Sequence, residues 1–238
     1  MTGIAARRFS GDVALARAVQ LEPVSLREIV GEGVRWAAGT DRDTLGTGID
    51  HFDRALGGGL PTGVLCEFVA SAPSSGGQTV LLHLLEEARK ERRFAALVDG
   101  ANAFDPQTAP PALIEHLLWV RCRSVEQALR AADVLLRDEN LGMVIVDLRD
   151  CAGWALKRTR STVWYRLQRL AGRWEGTLVV FTPRPMIPSA QIRVAFAGRL
   201  SAVQCDANLA EVARGLEFDV LRLRKQEMGN FPQLIQAG

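Results

Sequence analysis

Residues 117–147 have the sequence LLWVRCRSVEQALRAADVLLRDENLGMVIVD, in which two short apolar runs flank a stretch with helical spacing. The runs LLWVR and MVIVD have the length and apolar character of buried strands. Between them, VEQALRAADVLLRD (125–138) repeats its apolar residues every three or four positions, as one face of a helix requires. A strand, a helix and a second strand in this order predict a parallel βαβ unit.

The same alternation extends in both directions from this unit. We predict further strands at VLCEFV (64–69), FAALVD (94–99) and TLVVFT (177–182), and further helices through 80–90 and 160–173. Two later strands, near 199–205 and 216–224, have no long helix between them, which is typical of an antiparallel extension. The expected fold class is therefore α/β, with a mostly parallel central sheet flanked by helices and extended by antiparallel strands at one edge.

The composition is that of an ordinary soluble globular protein with one main domain. Of the 238 residues, 47% are hydrophobic and 24% are charged, and 29 Lys and Arg nearly balance 27 Asp and Glu. This balance predicts no general affinity for nucleic acid or membranes. The four cysteines form no C-x-x-C pair, and no apolar run has the length of a signal peptide or a membrane span. We therefore expect a cytoplasmic protein without a disulfide framework or a metal site.

Two regions differ in pattern from the alternating core. Residues 11–20, GDVALARAVQ, have the spacing of a short amphipathic helix, and the polar stretch 38–47 is typical of a linker. We predict an N-terminal helical arm and linker at residues 1–43 and a core domain at residues 44–238.

The segment TGIDHFDRALGGGLPTG, residues 47–63, and the loop ASAPSSGGQT, residues 70–79, resemble the start of the ATPase core of the RecA recombinase family. The resemblance continues through FAALVDGANAFDP, residues 94–106, which is similar to the second RecA strand and the turn after it. It includes residues 117–147, where the family has a strand, a helix and the Walker B strand. Roughly residues 44–236 are covered, which implies a RecA-like P-loop-type domain.

The loop that would bind phosphate lacks the residue that gives a P-loop its positive charge. A P-loop, G-x-x-x-x-G-K-[ST], binds phosphate through backbone N–H groups, and its lysine offsets the charge of the terminal phosphates. The resemblance admits two registers, which put Gln78 or Gly77 in the place of the lysine. Neither side chain is charged, so we expect poor stabilisation of a transferring phosphoryl group. The vestigial pocket comprises Ser74, Ser75, Gly76, Gly77, Gln78, Thr79 and Asp147.

Other positions that the resemblance implies also lack the chemistry of the family. Ala101 takes the place of the glutamate that orients the attacking water, and Thr108 takes the place of the tyrosine that stacks on adenine. Asp147 has two interpretations: a Walker B carboxylate that holds magnesium, or a polar residue that caps the turn after its strand. Asp99 and Glu67 are alternative carboxylates for the lost glutamate. We predict no hydrolysis, no catalytic residue and no required cofactor, with weak binding of ATP and magnesium through the loop backbone as an open alternative.

The stretch CAGWALKRTRSTVWYRLQRLAGRW, residues 151–174, combines six basic residues with three tryptophans and has no acidic residue. This mixture suits a nucleic-acid backbone with stacked bases, or a protein interface anchored by Trp and Arg. Helical spacing offers a second interpretation, in which Trp164 packs in the core and the arginines lie on the solvated face. The candidate contacts for a partner or DNA are Arg158, Arg160, Arg166, Arg169, Arg173 and Trp174.

Further candidates lie toward the C-terminus. Arg222, Arg224 and Lys225 fall where the RecA family reaches across a filament interface to the nucleotide of a neighbour, or else on the exposed side of an edge strand. The DNA-binding loops of the family correspond to a short stretch at 183–195, whose Arg184 and Arg193 we interpret as solvated charges. We therefore expect direct DNA contact to be weak.

Among RecA relatives that keep the core and lose the pocket, the chain resembles the ImuA family. This resemblance implies a non-catalytic interaction partner in SOS-induced translesion synthesis and mutagenesis. The implied partners are an ImuB-type Y-family polymerase homologue, an error-prone replicative-type polymerase and RecA itself. Two alternatives are a SulA-type cell-division inhibitor, which has a RecA-like fold without a working P-loop, and an active DNA-dependent ATPase of the RecA or RadA kind.

Overall fold

The structure is a computed structural model that describes residues 44–138, 140–201 and 208–223. The helical arm expected in residues 1–43 and the candidate residues Arg224 and Lys225 lie outside these ranges. Of the helices within them, none is both long and apolar enough to cross a membrane.

Within the described residues the chain forms nine strands in two sheets. They are β1 Thr44–Leu45, β2 Leu60–Pro61, β3 Leu65–Ala70, β4 Phe94–Asp99, β5 Leu117–Arg121, β6 Leu141–Asp147, β7 Thr177–Thr182, β8 Ile192–Phe196 and β9 Phe218–Leu223. β1 and β2 form a small sheet, and the other seven form the central sheet in the order β5-β4-β6-β7-β3-β8-β9. All neighbours in the central sheet are parallel except β8 and β9. The predicted fold class is confirmed.

Seven α-helices lie in the same part of the chain. They are α1 Asp50–Leu56, α2 Gly77–Lys90, α3 Pro111–Ile114, α4 Val125–Leu135, α5 Gly153–Arg158, α6 Ser161–Ala171 and α7 Leu209–Arg214. The three helices expected from the spacing are confirmed as α2, α4 and α6. Helix α4 begins at Val125 because Ser124 caps it: its Oγ accepts the backbone N–H of Gln127 at 3.2 Å.

Helices cover both faces of the central sheet, which explains why its inner strands are continuous apolar runs. On one face, beneath α1 and α2, the ring of Phe52 meets those of Phe68 and Phe218 at centroid distances of 5.5 and 4.6 Å. On the other face, α4 and α6 pack on the sheet, and Trp164 is only 1% exposed. The interpretation of Trp164 as a core residue is therefore confirmed.

The first RecA-like segment folds into a compact unit against this core. β1 pairs with β2 through Leu45 and Leu60. Asp53 of α1 accepts hydrogen bonds from the backbone N–H and the hydroxyl of Thr47 at 2.8 and 2.7 Å. Gly59 has φ 129°, and a Cβ there would lie 2.4 Å from the carbonyl oxygen of Leu45. Glycine is therefore required where the two short strands meet.

One of the late strands lies elsewhere than expected. The strand predicted near 199–205 is wrong in position: the sheet uses Ile192–Phe196, while 199–201 are not in a strand and 202–207 lie outside the described ranges. The residues of β8 alternate between buried and half-buried, which is the period of a strand with one covered face. The stretch 183–195 is thus a loop only in its first part.

Candidate functional site

The residues of the predicted pocket meet at the carboxyl edge of the central sheet. Ser74, Ser75 and Gly76 belong to the turn between β3 and α2, with positive φ at Ser74 (62°) and Gly76 (92°). Gly77, Gln78 and Thr79 form the first turn of α2. A strand, a tight turn and the amino end of a helix form the framework in which backbone N–H groups bind phosphate. The loop therefore has this framework, and residues 70–79 include no lysine.

Arg149, which follows β6, brings a cation to this loop from outside it. Its Nε donates to Oδ1 of Asp147 at 2.9 Å, and its Nη2 donates to Oδ2 at 2.5 Å. The same Nη2 donates to Oε1 of Gln78 at 3.2 Å. One guanidinium thus bridges the carboxylate in the Walker B place and the glutamine in one of the two candidate lysine places.

The surroundings of Arg149 hold it in that position. Its side chain is 15% exposed, its guanidinium lies 4.9 Å from the ring centroid of Phe181, and a Cβ at Gly77 would be 2.6 Å from its Nη1. Burial is the largest single influence on the pKa of Arg149 and acts to lower it, but the hydrogen bonds and charge of Asp147, together with the charges of Asp150 and Asp99, raise the pKa overall. The arginine remains charged and paired.

Arg149 was not among the residues singled out from the sequence. Its local signal is the D-x-R spacing of Asp147 and Arg149 directly after a buried strand, which lets the arginine turn back on the carboxylate. The backbone N–H of Arg149 also donates to Oδ1 of Asp147 at 3.1 Å. Asp147 therefore makes the contacts of a residue that caps the turn after its strand.

The glycine loop is covered from the side of α7. A Cβ at Gly76 would lie 2.0 Å from Cδ2 of Leu216, and the backbone N–H of Leu200 donates to the carbonyl of Ser74 at 2.8 Å. The cavity beside Ser75 measures about 70 Å³.

The two alternative carboxylates are engaged elsewhere in the fold. Asp99 accepts the backbone N–H groups of Ala103 and Phe104 at 3.0 and 2.9 Å. Glu67 is fully buried and forms an ion pair with Arg193 at 2.6 Å. Both carboxylates are therefore held by contacts within the fold.

The interpretation of Arg193 as a solvated charge is wrong. Its side chain is 13% exposed, and besides Glu67 it contacts the carbonyl oxygen of Ile187 at 2.7 Å. A buried glutamate requires a cation, and β8 supplies one because Arg193 lies directly beside Glu67 in the register of β3 and β8.

The basic stretch divides into exposed and buried parts. The exposed basic residues are Lys157, Arg158, Arg160, Arg166, Arg169 and Arg173. Trp154 and Tyr165 add apolar surface beside them, at 67 and 49% exposed. Arg166 is paired with Asp133 through bonds of 2.6 and 2.7 Å, so its charge is compensated.

The prediction that Trp174 is a surface contact for a partner or DNA is wrong. It is 7% exposed, and its Nε1 donates to the carbonyl oxygen of Leu141 at 3.0 Å. A buried indole needs such an acceptor, and the start of β6 provides it. Trp154 is the exposed tryptophan of this stretch.

Across the described ranges, no group of three or more His, Cys, Asp and Glu side chains is arranged to hold a metal ion.

Comparison with known proteins gives one family. The model of the RecA N-terminal domain matches residues 32–152, a range that includes the glycine loop and Asp147 and ends before α5. Similar curated proteins are Protein RecA of Nostoc sp., 41% identical over 108 residues, of Synechococcus elongatus, 38% over 107, and of Clostridium acetobutylicum, 40% over 109. Each alignment covers 44% of this chain and 30 or 31% of the relative. The chain therefore spans about 30% of the length of the curated relatives it matches.

Proposed function

The chain belongs to the RecA family, and from this premise we propose that it is a member without ATPase activity that acts by binding partners in SOS-induced translesion DNA synthesis. In this proposal it is an ImuA-type protein of the cytoplasm. Its partners are an ImuB-type Y-family polymerase homologue, an error-prone replicative-type polymerase and RecA.

The contact between Arg149 and Asp147 carries the proposal. In a working site, a magnesium ion held by the Walker B carboxylate and the lysine of the P-loop both bring positive charge to the phosphates. Here the guanidinium of Arg149 occupies both oxygens of Asp147 and the amide oxygen of Gln78. Magnesium would have to displace a buried and charged arginine before it could reach the carboxylate.

Titration of the purified chain with ATP and magnesium tests the silent pocket. We expect no saturable heat of binding and no phosphate release above background, with or without single-stranded DNA. The ATPase alternative is favoured by the position of Asp147 next to a glycine loop. Tight binding with turnover that the Asp147→Asn substitution abolishes would establish that alternative.

The exposed face of α5 and α6 is the proposed partner surface. It presents Trp154 and Tyr165 among exposed basic residues, and Trp and Arg are the usual anchors of protein interfaces. The surface lies outside the range matched by the RecA N-terminal domain. A partner-specific role fits a region that differs from the ATPase core.

Charge reversal tests this surface. The variant Arg158→Glu/Arg160→Glu/Arg169→Glu/Arg173→Glu should weaken capture of the ImuB-type homologue or of RecA by roughly tenfold or more. Arg130→Glu is the control, because Arg130 is an arginine 74% exposed on α4 that does not belong to the face of α5 and α6. Equal binding by the multiple variant and the control would exclude the surface.

A further inference from the structure

The excess positive charge of the protein is concentrated in residues 151–174. The chain has 29 Lys and Arg and 27 Asp and Glu, and this stretch contains six of the former and none of the latter. The other residues therefore have 23 basic against 27 acidic side chains and are acidic overall. Because unlike charges attract and like charges repel, an anionic partner is drawn to this stretch rather than to the rest of the surface.

Helical spacing puts an exposed aromatic side chain beside an exposed cation on each of two helices. On α5, Trp154 is four positions before Arg158, and on α6, Tyr165 is four positions before Arg169. Side chains four positions apart lie on the same face of a helix. Trp154 and Tyr165 are 67 and 49% exposed, and both arginines are exposed as well. Each helix thus presents a flat apolar surface with a guanidinium next to it.

The contact between α6 and α4 shows how an arginine of this stretch binds a carboxylate. Nε and Nη2 of Arg166 donate to the two carboxylate oxygens of Asp133 at 2.6 and 2.7 Å. The planar guanidinium matches both oxygens of a carboxylate in this way. Within residues 44–138, 140–201 and 208–223, it is the one ion pair made by a basic residue of the stretch. Arg169 lies three positions further along the same helix, where a second helix could present a carboxylate as α4 does.

We propose that the exposed face of α5 and α6 binds an acidic helical segment of a partner protein. Its carboxylates would pair with Arg158 and Arg169, and its apolar side chains would cover Trp154 and Tyr165. Charged contacts that surround apolar anchors are the usual composition of such an interface. The inference rests on the proposed function, because it gives the chemistry of the partner at the same surface.

The contacts within the fold favour a protein segment over nucleic acid as the occupant. The anion that this stretch already binds is a carboxylate carried by a helix, at Asp133. Single-stranded nucleic acid, which also combines negative charge with planar groups, is the competing outcome of the test.

Fluorescence anisotropy with a labelled synthetic peptide tests the occupant on the full chain. The probe is a helical peptide with Glu three or four positions apart along one face and Leu beside them. Its control has Gln in place of every Glu. The Glu peptide should bind saturably, and the Gln peptide should bind roughly tenfold or more weakly, because it lacks the complementary charge.

Variants of the two helices separate charge, geometry and apolar contact. Arg158→Glu/Arg169→Glu should lower the affinity for the Glu peptide by roughly tenfold or more, and Trp154→Ala/Tyr165→Ala by a similar factor. Arg158→Lys/Arg169→Lys keeps the charge but loses the planar paired contact, so its affinity should lie between those of the wild type and the Glu variant.

Matched controls lie on other parts of the protein. Arg89→Glu/Arg214→Glu reverses two exposed arginines on α2 and α7, which pack on the opposite face of the sheet. Leu221→Ala removes an apolar side chain that is 52% exposed on β9. Both controls should bind the Glu peptide as the wild type does. Equal binding by the controls and the α5 and α6 variants overturns the proposal.

The outcomes distinguish this inference from the proposed function. If the Glu peptide does not bind, or binds no better than the Gln peptide, while charge reversal still weakens capture of the partner protein, the surface stands and the acidic segment is wrong. If charge reversal affects neither, both proposals fail. Binding of an oligothymidine in preference to the Glu peptide, lost in the same variants, overturns the acidic segment in favour of nucleic acid.

Discussion

The guanidinium of Arg149 binds both carboxylate oxygens of Asp147, and neither side chain is more than 15% exposed. The pair lies at the carboxyl edge of the central sheet, where Arg149 also contacts Gln78 of the glycine loop. Its charges are compensated within the protein, so the stability of the fold depends on keeping both partners.

Removal of either partner of this pair should be strongly destabilising. We expect Arg149→Met and Asp147→Asn each to lower the free energy of unfolding by about 3 kcal/mol, because each leaves one buried charge unpaired. The double variant should lose clearly less than the sum of the two. Urea unfolding of all four chains in a double-mutant cycle measures the coupling.

The exposed pair Arg130 and Glu126 is the control for this cycle. Their side chains are 74 and 73% exposed, so their coupling should not exceed about 1 kcal/mol. Additive effects at Arg149 and Asp147 would mean that the two residues do not act as a pair in solution.

Glu67 should be indispensable to the fold. It is completely buried and accepts bonds from the hydroxyl of Thr182 and the backbone N–H of Met186, besides Arg193. Glu67→Gln should lower the free energy of unfolding by about 3–5 kcal/mol, because it leaves the cation of Arg193 without a counter-charge.

Thermal or urea unfolding checks the prediction on Glu67. Adding Arg193→Met to Glu67→Gln should restore part of the lost stability, since the unpaired cation is then gone. Glu126→Gln serves as the exposed control. A Glu67→Gln chain as stable as that control contradicts the prediction.

The stability of the protein should fall in mild acid through His83. Burial lowers the pKa of His83 below its ordinary 6.5, and the nearby charge of Glu86 acts in the opposite direction. The unfolded chain therefore takes up a proton at higher pH than the folded chain, so stability is lost as the pH falls from 6.5 toward the lowered pKa.

Urea midpoints of wild type and His83→Gln, measured at about pH 7.5 and about pH 5.5, test this dependence. The variant should lose less stability than the wild type between the two conditions. An identical loss would show that His83 does not contribute to the acid sensitivity.

The fluorescence of Trp154 should show that the basic stretch is in contact with solvent. It is 67% exposed, whereas Trp174 is 7% exposed. In acrylamide quenching, Trp154→Phe should remove more of the quenchable fluorescence than Trp174→Phe does. Trp174→Phe should instead lower the free energy of unfolding by about 1 kcal/mol, because it loses the bond to Leu141. The opposite pattern would mean that Trp174 is exposed and Trp154 is buried in solution.

The elements that were predicted most accurately are those whose signal is local. Strands β4, β5 and β7 begin and end at the residues expected from FAALVD, LLWVR and TLVVFT. A buried parallel strand is a short, nearly continuous apolar run, and that property can be seen in a single window of sequence. β8 was misplaced because the resemblance to the RecA family assigned residues 183–195 to a loop. The strand Ile192–Phe196 begins inside that stretch.

The sequence by itself determined the alternation of the main strands and helices and the absence of a lysine from the glycine loop, since both depend on residue type and short-range spacing, and its resemblance to the RecA family implied the RecA-like fold class. Only the tertiary structure decided which charges meet. Gln78 and Arg149 are 71 positions apart, and Glu67 and Arg193 are 126 apart. Such pairs form because the order and register of the strands bring distant side chains to one edge or one face of the sheet, and no local pattern encodes that neighbourhood.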